Sequence, residues 1–382
     1  MLINKSYIFS RIELLVKEKQ DSLLSTKTED DKLYKIKLRF PNWFRNIIFH
    51  PLNPAYSVLV QYKASKRKKK NQINIRLLHP FAIDFMQYCY THDVEFDTDL
   101  YYPKEDEPRI ISFIDNRLKS LIAGFNQIEL SQSQMNMYIK RQELLNKTKK
   151  IPEGYHLTLD GNNYYLPDNT FEEHTYIHEY GLVHLPEYVK DYIKGKDFLD
   201  VGAYLGDTSI LLLRKYNPTH IYAYEPVEEN ADNVRNTIRL NNTDKISVIQ
   251  KGLGEKEAML DIYIDPDKLS ASSINNSISD PNAQKKQIHI TTIDNECKDR
   301  KIGLIKMDIE GAEYSAIKGG LETIIRDKPV LLISAYHTGK DFFEIPPMLK
   351  AAVSSYQFRL IDLEEISPIT EKIIVAYPSL DK

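Results

Sequence analysis

A chain of 382 residues, 42% hydrophobic and 27% charged, has the balance of a folded globular protein of roughly two to three domains. Its formal net charge of -3 gives no reason to expect a polyanionic partner, so nucleic acid is not expected. Cys89 and Cys297 are too few for a disulfide framework or a thiolate metal site, and no apolar run reaches the ~20 residues of a membrane span.

The opening stretch "MLINKSYIFSRIELLVKEKQ" mixes Arg11, Glu13 and Lys17 into its apolar positions and lacks a cleavage site. It is a poor signal peptide, and with the sparse cysteines a cytoplasmic location is expected. Ile8, Ile12, Leu15 and Val16 recur at helical spacing, as do Ile111, Ile114, Leu118 and Leu121 in "PRIISFIDNRLKSLIAGF". Between them "FPNWFRNIIFHPLNPAYSVLVQY" follows no regular pattern, and "KRKKK" at 66–70 reads as a solvated loop. Residues 1–150 are therefore expected to form a helix-rich N-terminal domain.

Residues 151–382 have a different character, with a core from 195 onward. "YHLTLDGNNYYLP" reads as a hairpin turning at Asp160-Gly161. Short apolar runs then alternate with amphipathic ones: "DFLDV" with "DTSILLLRKY", "HIYAYEP" with "VEENADNVRNTIRL", "GLIKMD" with "AEYSAIKGGLETIIRD", and "PVLLISAY" with "DFFEIPPMLKAAVSSY". "ISVIQ" is a further strand, and "QFRLIDL" and "KIIVAYP" form a closing antiparallel pair. The expectation is an α/β fold with a mostly parallel sheet covered on both faces. "LSASSINNSISDPNAQ" (269–284) reads as a polar loop insertion able to act as a lid.

Ligands of such sheets bind beyond the carboxyl ends of the strands. After the first strand, "DVGAYLGDTS" supplies Gly202 and Gly206 for a sharp turn, and Asp207 or Thr208 to cap the next helix. Glu225, in "YEP", stands where an acid would accept hydrogen bonds from ribose hydroxyls, ~20 residues after the glycines. A dinucleotide loop would be G-x-G-x-x-G, but Ala203 and Tyr204 follow Gly202, and Asp207 would repel phosphate. A cationic adenosine ligand without phosphates, S-adenosylmethionine, fits better. Asp200, Gly202, Ala203, Tyr204, Gly206, Asp207, Thr208, Glu225 and Pro226 form the expected cofactor-binding set.

The stretches "FLDVGAYLGDTS", "YAYEPVEENADNVRNTIRLNN", "IQKGLG", "LIKMDIEGAEYSAIKGG" and "AYHTGKDFFEIPPML" resemble, in order, the FkbM family of S-adenosylmethionine-dependent methyltransferases over roughly residues 180–380. The family usually has Asn where Tyr204 stands. The resemblance implies a class I methyltransferase Rossmann-like sheet with one antiparallel strand near its edge. It also implies O-methyl transfer to a hydroxyl of a sugar, glycan or small polar natural product, and places Gly252 and Leu253 near the adenine. The rivals are an N-methyltransferase on a small molecule, a nicotinamide oxidoreductase and a non-catalytic binding module.

Asp308 ends the fourth strand and Glu310 lies on the turn after it; His337, after the fifth, converges on the same edge. These are the expected catalytic residues, one of them a general base for a weakly nucleophilic hydroxyl. Crowding is expected to raise the carboxylate pKa values. The same three side chains are of types that ligate a hard divalent cation, and that reading stays open. Glu313 is read as a carboxylate favoured at a helix N-terminus. The N-terminal domain is expected to serve homo-oligomerisation or acceptor recognition.

Overall fold

The computed structural model describes residues 1–25, 72–76, 80–123, 125–129, 131–264, 284–364, 367 and 369–379. Its main sheet has seven strands: β1 (Asp197–Val201), β2 (Ile221–Tyr224), β3 (Ile246–Ile249), β4 (Ile302–Met307), β5 (Val330–Ser334), β6 (Tyr356–Asp362) and β7 (Lys372–Pro378). Across the sheet they run β3-β2-β1-β4-β5-β7-β6, and β7 alone is antiparallel to its neighbours. This is the expected class I methyltransferase sheet.

Every residue of β4 and β5 is buried, as central strands covered on both faces require. Leu199, Val201, Ile305, Met307, Leu331 and Ile333 join one core, while Phe198, Leu304, Val330 and Leu332 join the other. That alternation is the period-2 geometry of a strand, so the apolar runs serve two cores at once.

Helices α1 (Lys5–Ser25), α2 (Pro80–Thr91) and α3 (Glu107–Ala123) arise where the helical spacing predicts or near it. Over the sheet lie α4 (Asp207–Tyr216), α5 (Glu228–Leu240), α6 (Glu313–Lys318) and α7 (Gly339–Ala352). The N-terminal helices share the first core: Phe113 stacks on Phe342 of α7 at 4.4 Å between centroids, and Phe85 on Phe343 at 5.4 Å. The hairpin Gly154–Leu159/Asn162–Leu166 turns at Asp160 and Gly161, both with positive φ, as a two-residue turn requires.

One local expectation is corrected. Neither Asp207 nor Thr208 caps α4: Gly206 holds the cap position at φ 77° with no side-chain cap, and Asp207 is the first helical residue. The left-handed glycine turns the chain straight into the helix, leaving no extended residue to reach back. The stretches 40–62 and 66–70, and all but the last residue of 269–284, lie outside the described residues.

Candidate active site

The carboxyl ends of β1, β2, β4 and β5 open onto a cavity of about 550 Å³. After β1 the chain reverses so tightly that a Cβ on Gly202 (φ 77°) would lie 1.9 Å from the Asp308 carbonyl oxygen. Tyr204 is also left-handed (φ 48°), a conformation asparagine adopts more readily than tyrosine. Its amide donates to Glu225 Oε2 at 3.0 Å, and the Val227 amide donates to Oε1 at 3.0 Å. Burial pushes the Glu225 carboxyl up, while those amides oppose it. Glu225 therefore fixes the glycine loop and faces the cavity at once.

Gly202, Ala203, Tyr204, Asp207, Thr208, Glu225, Pro226, Gly252, Leu253, Asp308 and Glu310 all line the cavity. Asp200, Gly206 and His337 stand behind its wall. Asp200 is fully buried, accepts from Ser209 Oγ at 2.6 Å, and pairs with Lys306 Nζ at 3.2 Å, its register neighbour on β4. Lys306 also donates to the Gly202 carbonyl at 2.7 Å. Burial opposes its charge, but Asp200 and Asp308 outweigh that and raise its pKa. The pair thus holds the glycine loop from below.

At the end of β4, Asp308 Oδ2 accepts from Tyr180 Oη at 2.6 Å. His337 sits between carboxylates: Nδ1 lies 3.0 Å from Glu313, and Nε2 lies 3.5 Å from Asp308 and 3.7 Å from Glu310. These contacts are ionic, since neither ring nitrogen meets hydrogen-bond geometry. Burial disfavours the imidazolium, yet Glu313, Glu310 and Asp308 carry its pKa up to about 10. Burial likewise acts to raise Asp308, and the charges of His337 and Lys306 more than reverse it. Glu310, with φ 56°, is pushed up to about 7, first by burial and then by Asp308 and Glu313 against His337. Burial, with crowding added to it, therefore raises Glu310 and not Asp308.

Glu313 begins α6, as a helix N-terminal acid should, but its carboxylate also accepts from Ile309 N at 2.8 Å and Gly311 N at 2.9 Å. It clamps the turn that carries Glu310. Among the described residues the one grouping with metal-ligating spacing is Asp308, Glu313 and His337, their donor atoms within 4.8 Å of one another; Glu310 is not part of it.

The sequence reading missed Phe81, Glu172, His174, Tyr180, Lys306, Tyr336 and Glu371, which all line the cavity. Lys306 had a signal, a lysine inside an otherwise apolar strand. Glu371 precedes β7, and because β7 is antiparallel its start reaches the edge where the other strands end. Glu371 Oε1 accepts from Tyr336 Oη at 3.2 Å, and His174 lies 3.8 Å from Oε2.

The cavity's acids, Glu172, Asp207, Glu225, Asp308, Glu310 and Glu371, outnumber Lys251 and Lys306, and both lysines are paired. Beyond Glu225, Pro226, Leu253, Ile288 and Ile290 form an apolar slot. A buried acid at the end of β2, apolar residues beyond it and excess negative charge fit S-adenosylmethionine and do not fit a pyrophosphate.

Residues 200–360 match the model of the Methyltransferase FkbM domain. Among solved structures, the chain is similar to the methyltransferase FkbM from Methylobacillus flagellatus KT at 20% identity and a TM-score of 0.39. That match covers 68% of this chain and 65% of the other, so the chain spans under two thirds of that protein. It is also similar to an rRNA methylase from Streptococcus thermophilus (12% identity, 56% and 99% covered, TM-score 0.33). A third is M. jannaschii TYW2 in complex with AdoMet (12%, 60% and 98%, 0.31). A search of curated proteins gives no match.

Proposed function

We propose, from the match of residues 200–360 to the Methyltransferase FkbM domain, that this chain is an O-methyltransferase acting on a hydroxyl of a sugar, glycan or small polar acceptor. The observation that carries the reading is the meeting, in one cavity, of the glycine loop and Glu225 with Glu310, a carboxylate pushed up to about 7.

S-adenosylmethionine, when bound, supplies an electrophilic methyl group and its own leaving group. Glu225, Gly202 and Tyr204 would hold it from the β1 and β2 ends, with Leu253 and Pro226 available to the base. The acceptor hydroxyl is aligned at the β4 and β5 ends, and alignment supplies much of the acceleration. Glu310 takes the hydroxyl proton: a base with a pKa of about 7 combines availability with driving force at neutral pH. His337, with its pKa near 10, is already protonated there; it keeps Asp308 ionised and orients Glu310. Asp308, fixed by Tyr180, receives a hydrogen bond from the acceptor.

The test is transfer from methyl-labelled S-adenosylmethionine to a panel of hydroxylated and aminated acceptors. Label recovered in ether linkages supports the reading. Label recovered on amines, or none transferred to any hydroxyl, overturns it.

A further inference from the structure

The FkbM match begins at residue 200, yet the cavity is not closed by that domain alone. Phe81, in the first turn of α2, is one of its walls. The ring stands edge-on to His337 at 5.0 Å between centroids and tilted to Tyr336 at 5.6 Å. It therefore sits over the end of β5, beside His337 and Tyr336, whose side chains meet Glu310 and Glu371.

The placement of Phe81 is built. Asp84, one turn along α2, accepts from the Gly339 amide at 2.8 Å at the start of α7. Tyr88, a further turn on, donates to Glu344 at 2.5 Å, and its side chain packs so closely that a Cβ on Gly339 would lie 2.6 Å from the Tyr88 Cβ. From α3, the buried Arg117 donates to the Tyr336 carbonyl at 3.1 Å and the Ile369 carbonyl at 3.2 Å. Those two carbonyls belong to the loops that carry His337 and Glu371. Arg117 faces no carboxylate among the described residues, and burial alone lowers its pKa to about 9. A guanidinium is buried at such cost when several hydrogen bonds offset it, and here they tie two loops of the site to the N-terminal helices.

We propose that the N-terminal helices complete the acceptor side of the site, with Phe81 as the specificity-determining wall of a subsite for a hydroxylated ring. This rests on the function proposed above. The ring's C–H face packs on Phe81, and its hydroxyls reach Glu310 and Glu371; an apolar wall with a few placed polar groups is the ordinary make-up of a small-molecule pocket. Arg117 is a positioning residue that holds the opposite loops in register with that wall.

The experiment is saturation-transfer difference NMR on the full chain with excess S-adenosylhomocysteine, using the methyl glycosides of glucose, galactose and rhamnose as probes. The wild type is expected to saturate the ring protons of at least one glycoside. Phe81→Ala should cut that signal at least fivefold, and Phe81→Tyr should retain it, with S-adenosylhomocysteine affinity unchanged within twofold in both variants. Unchanged glycoside signal in Phe81→Ala overturns the wall. No glycoside signal in a wild type that binds S-adenosylhomocysteine overturns the hydroxylated-ring subsite alone. A wild type that binds no S-adenosylhomocysteine overturns the proposed function and this inference with it.

Discussion

At the residue scale the site divides its acids by environment. Asp308 and Glu310 are two positions apart, yet one is held below the ordinary carboxylate range and the other is pushed up to about 7. With Glu310 as the proposed base, active when deprotonated, turnover under saturating substrates should rise with pH through about 7 and level off above it. Glu310→Gln should lower kcat by ~10²–10⁴-fold and flatten that rise, with S-adenosylhomocysteine affinity unchanged. A retained pH step in Glu310→Gln would move the base elsewhere. Glu225 carries two backbone amides besides facing the cavity, so Glu225→Ala removes a charged acceptor and loosens the loop. A charged hydrogen bond is worth about 1.5–3 kcal/mol, which corresponds to roughly 10- to 150-fold weaker cofactor binding in calorimetry. Affinity within twofold of wild type would remove Glu225 from the cofactor site.

Elements explain why so much of this was legible in the sequence. The strand ends carrying Gly202, Glu225 and Asp308 follow clear apolar runs, so their common edge followed from parallel topology. His337 was also placed at the right edge, but its protonation was not readable. That depends on Glu313, which reaches back from α6 to the turn and to the imidazole. Tyr180 was invisible because a left-handed kink at Glu179, Tyr180 and Gly181 brings it to Asp308 from 128 residues away. Glu371 was hidden by the reversed direction of β7. The β1 turn meets the β4 end so closely that any side chain at 202 collides with backbone. Gly202→Ala is expected to lower the melting temperature and abolish S-adenosylhomocysteine binding together. Wild-type behaviour in differential scanning fluorimetry with ligand would show that the two loops can separate.

At the scale of the whole molecule, the chain reads as two compositional halves, but the described N-terminal helices are packed into the first core of the sheet. Phe85, Phe113 and Phe342 are at most 2% exposed, and they bury one another. The sequence concealed this because helical spacing marks which face is apolar, and not what it meets. Deleting residues 1–150 should strip aromatic cover from α7 and yield aggregated protein in size-exclusion chromatography. A soluble truncated monomer with wild-type S-adenosylhomocysteine affinity would mean that the helices are dispensable to the fold.

The central claim is that the cavity at the ends of β1, β2 and β4 takes S-adenosylmethionine. Calorimetric titration of the full chain with S-adenosylmethionine and S-adenosylhomocysteine, with and without EDTA and with NADH as control, tests it most directly. Saturable binding of both sulfur ligands at micromolar concentration, unaffected by the chelator and absent for NADH, is the result expected from an acid-lined site without a phosphate cradle. Binding of NADH with none of either sulfur ligand would contradict it.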